Sequence, residues 1–155
     1  MSSGHWRMAD LLPHTGPAVL LDEVVACTDT GVLAGVTIHP GSPFHQDNGV
    51  PVHVGIEYMA QACGAFSGIQ ALRGGAAPRM GFLLGTRHYR ATRAWFADGE
   101  RLVVAADLVY FDAEVGMFDC LIRSGDAVIA KAQLIVAEPR NAAEMLGRQD
   151  GMDDG

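Results

Sequence analysis

Cysteine is scarce in this sequence: Cys27, Cys63 and Cys120 make an odd, widely spaced set of three in 155 residues, with no C-x-x-C pair. That excludes a disulfide framework and a thiolate metal site, and it reads as small core residues in a reducing cytoplasm. Unbroken apolar runs are missing too. The opening "MSSGHWRMADLLPH" has no charged segment followed by an apolar one, and "AVLLDEVVAC" is interrupted by Asp22 and Glu23, so no signal peptide is expected. Residues 49–70, "GVPVHVGIEYMAQACGAFSGIQ", approach membrane-spanning length but contain His53, Glu57, Gln61 and five glycines or serines. They fit a buried core helix and not a membrane span. No internal repeat, low-complexity tract or linker divides the chain.

Acid is also absent over one long interval. No Asp or Glu lies between Glu57 and Asp98, whereas Arg73, Arg79, Arg87, Arg90 and Arg93 all do. The net charge of −7 argues against nucleic acid as a partner. The local excess of arginine suits an acidic or phosphate-bearing ligand, or equally a solvated sheet face and a complemented helix C-terminus. What is present is an ordinary globular composition, 49% hydrophobic and 19% charged. One domain over 1–155 is expected, with a core of about 10–138 and an acidic, glycine-rich tail at 140–155 that frays.

Residues 7–13 read as a short helix or turn. "AVLLDEVVACTDTGVLAGVTI" reads as two strands joined at "TDTG", with Gly31 free to take positive φ. The proline- and glycine-rich "HPGSPFHQDNGVP" is a loop, and a helix follows from about His53 to Arg73. Four strand-like segments then occupy 80–96, 100–112, 116–125 and 127–139, and are expected to form an antiparallel meander. A helix this apolar must be covered on most sides. The architecture expected is therefore α+β, one long central helix wrapped by a curved antiparallel sheet.

Glu57 is the lone acid of that helix. Gln61 shares its face, and Gly64 and Gly68 continue it, while Ile56, Met59, Cys63 and Phe66 form an opposite core stripe. Gln61 is placed to hydrogen-bond the carboxylate, and the glycines leave room for a ligand alongside. A helix start lowers a carboxyl pKa and burial raises it, so Glu57 fits either a proton-transfer role or a plain capping role. His39, His45 and His53 lie close in sequence, and a histidine facing a carboxylate makes an acid/base pair. No H-x-x-x-H spacing argues for a metal, and no G-x-S-x-G context argues for a serine nucleophile.

These residues resemble the hotdog-fold β-hydroxyacyl-acyl carrier protein dehydratases. "LLPHTGPAVLLDEVV" is similar to the family's L-P-H-x-x-P-x-L-L-V-D-x-V opening. "PVHVGIEYMAQACG" is similar to the start of its central helix, P-G-x-L-x-x-E-x-x-A-Q. "GFLLGTRHYRATRAWFADGERL" resembles its G-x-x-x-G strand and D-G turn. The resemblance implies paired subunits, a tunnel at their interface, and a thioester on phosphopantetheine or CoA, with no cofactor and no metal. It implies that histidine takes a proton beside the thioester carbonyl while Glu57 helps expel the β-hydroxyl. It further implies that Gln61 orients Glu57, that the amides of Val52, His53 and Gly55 polarise the carbonyl, and that Arg87 meets the carrier arm's phosphate. The family's H-F-P-G-x-P-x-x-P-G loop is absent: its histidine position, fourteen residues before the acid, is Pro43, and its glycine before the helix is Val52. His45, twelve before Glu57, is then the candidate base and His53 the reserve, while His14 of the opening motif has a structural role. A 3-hydroxyacyl-carrier-protein dehydratase of fatty acid or polyketide-type synthesis is expected, as a homodimer, a higher even oligomer or a heterodimer with a paralogue. The alternatives are a hotdog thioesterase and a non-catalytic subunit paired with an active paralogue.

Overall fold

The structure, a computed structural model, describes residue 6 and residues 8–11, 19–78, 81–112 and 114–139. Its elements run in the order α1 (Met8–Leu11), β1 (Glu23–Cys27), β2 (Gly31–Thr37), β3 (Val50–Pro51), α2 (Gly55–Arg73), β4 (Phe82–Ala91), β5 (Trp95–Phe96), β6 (Arg101–Asp112), β7 (Val115–Ser124) and β8 (Ala127–Ala137). The expected tail, Pro13, His14 and Arg79 lie outside the described residues.

Six antiparallel strands form one sheet in the order β1-β2-β6-β7-β8-β4. Alternate residues of its inner face close on α2: Leu102, Val104 and Ala106 from β6, Phe118, Cys120 and Ile122 from β7, and Ala132, Leu134 and Val136 from β8. The helix answers with Met59, Ala62, Cys63, Ala65, Phe66 and Ile69, all buried, and Phe66 meets Phe118 edge-on at 5.8 Å. This is the central helix and curved sheet of the hotdog fold. Among the described residues no helix is long and apolar enough to cross a membrane.

Four expectations change. The four late strands are not one meander: β6, β7 and β8 are, but β4 pairs with β8 at the far edge. Both flanks of β6 are already taken by β2 and β7, so β4 finds its partner elsewhere. The turn before β2 does not use a left-handed Gly31. The Thr28 hydroxyl closes it by accepting the N–H groups of Thr30 and Gly31 at 3.3 and 3.1 Å. Gly68 offers no room to a ligand, because a Cβ there would collide with the Leu11 carbonyl of α1. Ile56 belongs to a cavity wall and not to the core stripe.

The connection from β4 to β6 positions the start of α2. Its residues 95–96 pair with Val50–Pro51, which fixes the chain just before α2. Gly49, at φ 121°, lets these segments approach, since any side chain there would strike the Phe96 carbonyl. Phe96 is fully buried and tilts against Tyr58 at 5.9 Å. Glu100 then locks the turn: its carboxylate accepts from both Arg93 guanidinium ends, from Ala97 N–H and from the Ser124 hydroxyl.

Candidate active site

A single 3-10 turn, Val52–Val54, leads directly into α2. It is clamped from two sides. Val52 N–H donates to the Ala94 carbonyl at 2.9 Å, and the Tyr89 hydroxyl of β4 donates to the Val52 carbonyl. Burial pushes the Tyr89 hydroxyl up to about 12, so it stays a donor across the physiological range. Gly55 is required by that clamp. A Cβ on it would collide with the Tyr89 hydroxyl and come within 3.0 Å of Ile122 and 3.3 Å of Phe96. Gly55 thus admits Tyr89 to the helix start, and because Val52 N–H is already taken, Val52 is not a free carbonyl donor.

One turn further on, Glu57 projects into a cavity of about 450 Å³ lined by Leu20, Phe44, His53, Val54, Ile56, Glu57 and Gln61. The walls are mostly apolar; the polar groups are a carboxylate, an imidazole and an amide. Glu57 is exposed to this space and forms no hydrogen bond or ion pair among the described residues. Gln61, expected to orient the carboxylate, makes no hydrogen bond to it. Its Oε1 accepts Leu20 N–H at 2.7 Å and Leu21 N–H at 3.3 Å, pinning the segment that leads into β1 along the helix face.

The candidate residues therefore divide. Glu57, His53 and Gln61 are brought together in the cavity, with Val52 and Gly55 shaping the turn beneath them. His45 is not in the cavity wall. Its Nε2 lies 2.7 Å from Asp98 Oδ1, tying the loop after β2 to the turn before β6. Arg87 also stands apart: it faces Gln133 across the β4–β8 ladder, on the sheet face turned away from α2, because its neighbour Thr86 faces the fully buried Leu134. Two residues come into view only with the structure. Tyr89 is one, an ordinary strand aromatic by sequence. Phe44 is the other; it is 61% exposed at φ 67°, a backbone conformation costly for an aromatic residue, and it forms part of the cavity wall. No group of three metal-ligating side chains is gathered among the described residues. The three cysteines are free and buried, Cys63 Sγ and Cys120 Sγ lying 3.8 Å apart, and burial pushes the Cys63 thiol well up.

A helix-borne carboxylate thus opens into an apolar cavity inside a hotdog fold. The ApeP-like family, described as ApeP dehydratase, matches residues 6–147, and the chain belongs to it. A 3-hydroxyacyl-[acyl-carrier-protein] dehydratase, FabZ of Psychrobacter arcticus, is 29% identical over 135 residues, covering 81% of this chain and 90% of that protein. The dehydratase heterocomplex ApeI:P from Xenorhabdus doucetiae superposes with a TM-score of 0.86 at 29% identity, over 92% of this chain and 97% of that one. A thioesterase-like protein of Streptococcus pneumoniae, solved with coenzyme A, superposes at 0.60 with 13% identity, over 76% of this chain and 84% of that one, a likeness of fold alone.

Proposed function

We propose that this chain takes part in removing water from 3-hydroxyacyl thioesters carried on acyl carrier protein, in a fatty acid or polyketide-type synthesis in the cytoplasm. The observation that carries the reading is Glu57: a carboxylate with no internal partner, at the start of a buried helix, facing an apolar cavity beside a histidine. In the reaction a base takes the proton from the carbon next to the thioester carbonyl. The electron pair forms the double bond as the β-carbon–oxygen bond breaks, and protonated Glu57 hands its proton to the leaving hydroxyl, which departs as water. The amides of His53 and Val54, ahead of the N–H groups that the turn itself uses, polarise the carbonyl oxygen. The electrons stay within the substrate, so no redox cofactor is called for.

His53 is the histidine that shares the cavity with Glu57, which favours it as the base on this chain. His45 takes that role only after giving up Asp98 or by acting on a paired subunit's substrate. A second reading has its own support. The H-F-P-G loop is missing and His45 is engaged elsewhere, which suits a subunit that supplies the acid while a paralogous chain supplies the base. The heterocomplex of the ApeI:P relative points the same way. Residues 1–155 are read as one hotdog unit in either case.

The test is turnover of a 3-hydroxyacyl-pantetheine thioester, followed as the enoyl product, for wild type, Glu57→Gln, His53→Ala and His45→Ala. Activity in wild type that is lost with Glu57→Gln and His53→Ala supports a self-sufficient site. Loss with His45→Ala instead returns the base to His45. A silent wild type that becomes active on adding a paralogous hotdog chain, and that still needs Glu57, supports the shared site. Release of free thiol without enoyl product would overturn dehydration in favour of a thioesterase.

A further inference from the structure

β4 is one of the two edges of the sheet, opposite β1: it ends the strand order, and no strand flanks its outer side among the described residues. It is ten residues long, and its second and third residues, Leu83 and Leu84, are 40% and 54% exposed. A long apolar edge is a template for another strand, and proteins that stay apart blunt such edges.

The cations on this edge are arranged against self-pairing. A bulge between Arg87 and Arg90, with His88 at φ 56°, puts one extra residue into β4. Without it Arg87 and Arg90, three apart, would point to opposite faces; with it both stand on the outer face, opposite Gln133 and Lys131. Lys131 sits directly across from Arg90, a like-charge pair that costs stability within the chain itself. None of Arg87, Arg90 and Lys131 forms an ion pair among the described residues. If two copies paired β4 against β4 about a two-fold axis near the strand's middle, Arg87 would meet its own copy. The three cations of each chain would then crowd one outer surface.

We propose that the β4 edge selects its partner by charge: it disfavours a second copy of this chain and accepts a paralogous hotdog chain whose edge strand carries carboxylates opposite Arg87 and Arg90. This rests on the reading of the protein as a paired dehydratase subunit, and names what makes the pair unequal. The leucines and the free backbone groups supply a pairing edge common to both outcomes, and the cations supply the discrimination.

The selection can be rebuilt with the chain alone. The double variant Arg87→Glu/Arg90→Glu imitates the proposed partner's edge. Sedimentation equilibrium of full-length wild type, of the variant and of an equal mixture gives three association constants. The mixture is expected to associate at least about tenfold more tightly than either component, as a few relieved like-charge contacts would give. Raising salt to about 1 M, where a charge reaches only about 3 Å, should tighten wild-type self-association and erase the mixture's advantage. The neutral double variant Arg87→Gln/Arg90→Gln should self-associate more tightly than wild type, which keeps the test informative if the acidic variant unfolds. A wild-type homodimer as tight as the mixture and indifferent to salt would overturn the proposal. So would a failure of every combination to associate, which would mark the edge as blunted. Mass is the readout, so an absence of dehydration would count against the proposed reaction and leave this result untouched.

Discussion

Glu100 stands at the threshold of β6, and its two oxygens accept from Arg93 at 2.8 and 2.5 Å, from Ala97 N–H at 2.7 Å and from Ser124 at 2.7 Å. Glu57, in the first turn of α2, faces a cavity with no bond or ion pair among the described residues. Burial pulls the Glu100 carboxyl up, but the hydrogen bonds of Arg93, Ala97 and Ser124 and the charge of Arg93 outweigh it and hold its pKa below the usual value. The contrast teaches how to separate structure from chemistry among acids. A carboxylate whose lone pairs are filled by the fold is committed to the fold; one left open in a cavity is available to a substrate.

The largest expected effect tests the open member of the pair. Glu57→Gln should lower the rate of enoyl formation by about 10²–10⁴-fold, the usual worth of a positioned acid. Thermal unfolding should move by no more than about 0.5 kcal/mol, because no internal partner is lost. Retained activity would break the comparison outright. The filled member should behave in reverse: Glu100→Gln should cost about 2–3 kcal/mol of stability at neutral pH through lost charge-assisted bonds, measured by urea unfolding. The sign with pH follows from its lowered pKa. The wild-type advantage is fully present above the unfolded value near 4.5 and disappears as pH falls through the lower folded value. An advantage that grew on acidification would refute the assignment.

Two smaller effects sharpen what surrounds Glu57. Gly55→Ala should destabilise by about 1–3 kcal/mol through the collision with Tyr89. Adding Tyr89→Phe should recover part of that loss, so that the double variant costs less than the sum of the two. Phe44→Gly should stabilise the chain by up to about 1 kcal/mol by relieving the left-handed backbone, while weakening binding of an acyl-pantetheine analogue. Stability and affinity moving together would remove Phe44 from the cavity's function.

Much of this was legible in the sequence, for physical reasons that can be named. The acid and amide four apart on an apolar helix share a face whatever the fold, so Glu57 and Gln61 could be read together. The turn-type sequences and the β-branched and aromatic residues between them announced strands. Neighbours were harder. Nothing in "FLLGTRHYRA" says that its partner is β8 and not the strand that follows it, because strand propensity carries no pairing information. The His45–Asp98 bridge joins residues 53 positions apart, and Gln61 reaches Leu20 across 41. Such contacts exist only once the sheet has closed. A left-handed Phe44 is likewise set by its surroundings, since a bulky aromatic residue disfavours that backbone.

The pairing of β4 with β8 also orders events in time. Made from the N-terminus, the chain completes α2 before any of β6, β7 or β8 exists, and β4 waits for the last strand of the sheet to find its neighbour. Closure is therefore late and non-local, the circumstance that slows folding and leaves apolar surface uncovered on the way. A chain cut short before Ala127 would keep every residue of the cavity wall yet leave α2 half-clad and β4 with neither side paired. The cavity face, written early in the sequence, is fully backed only when the final strand has been made.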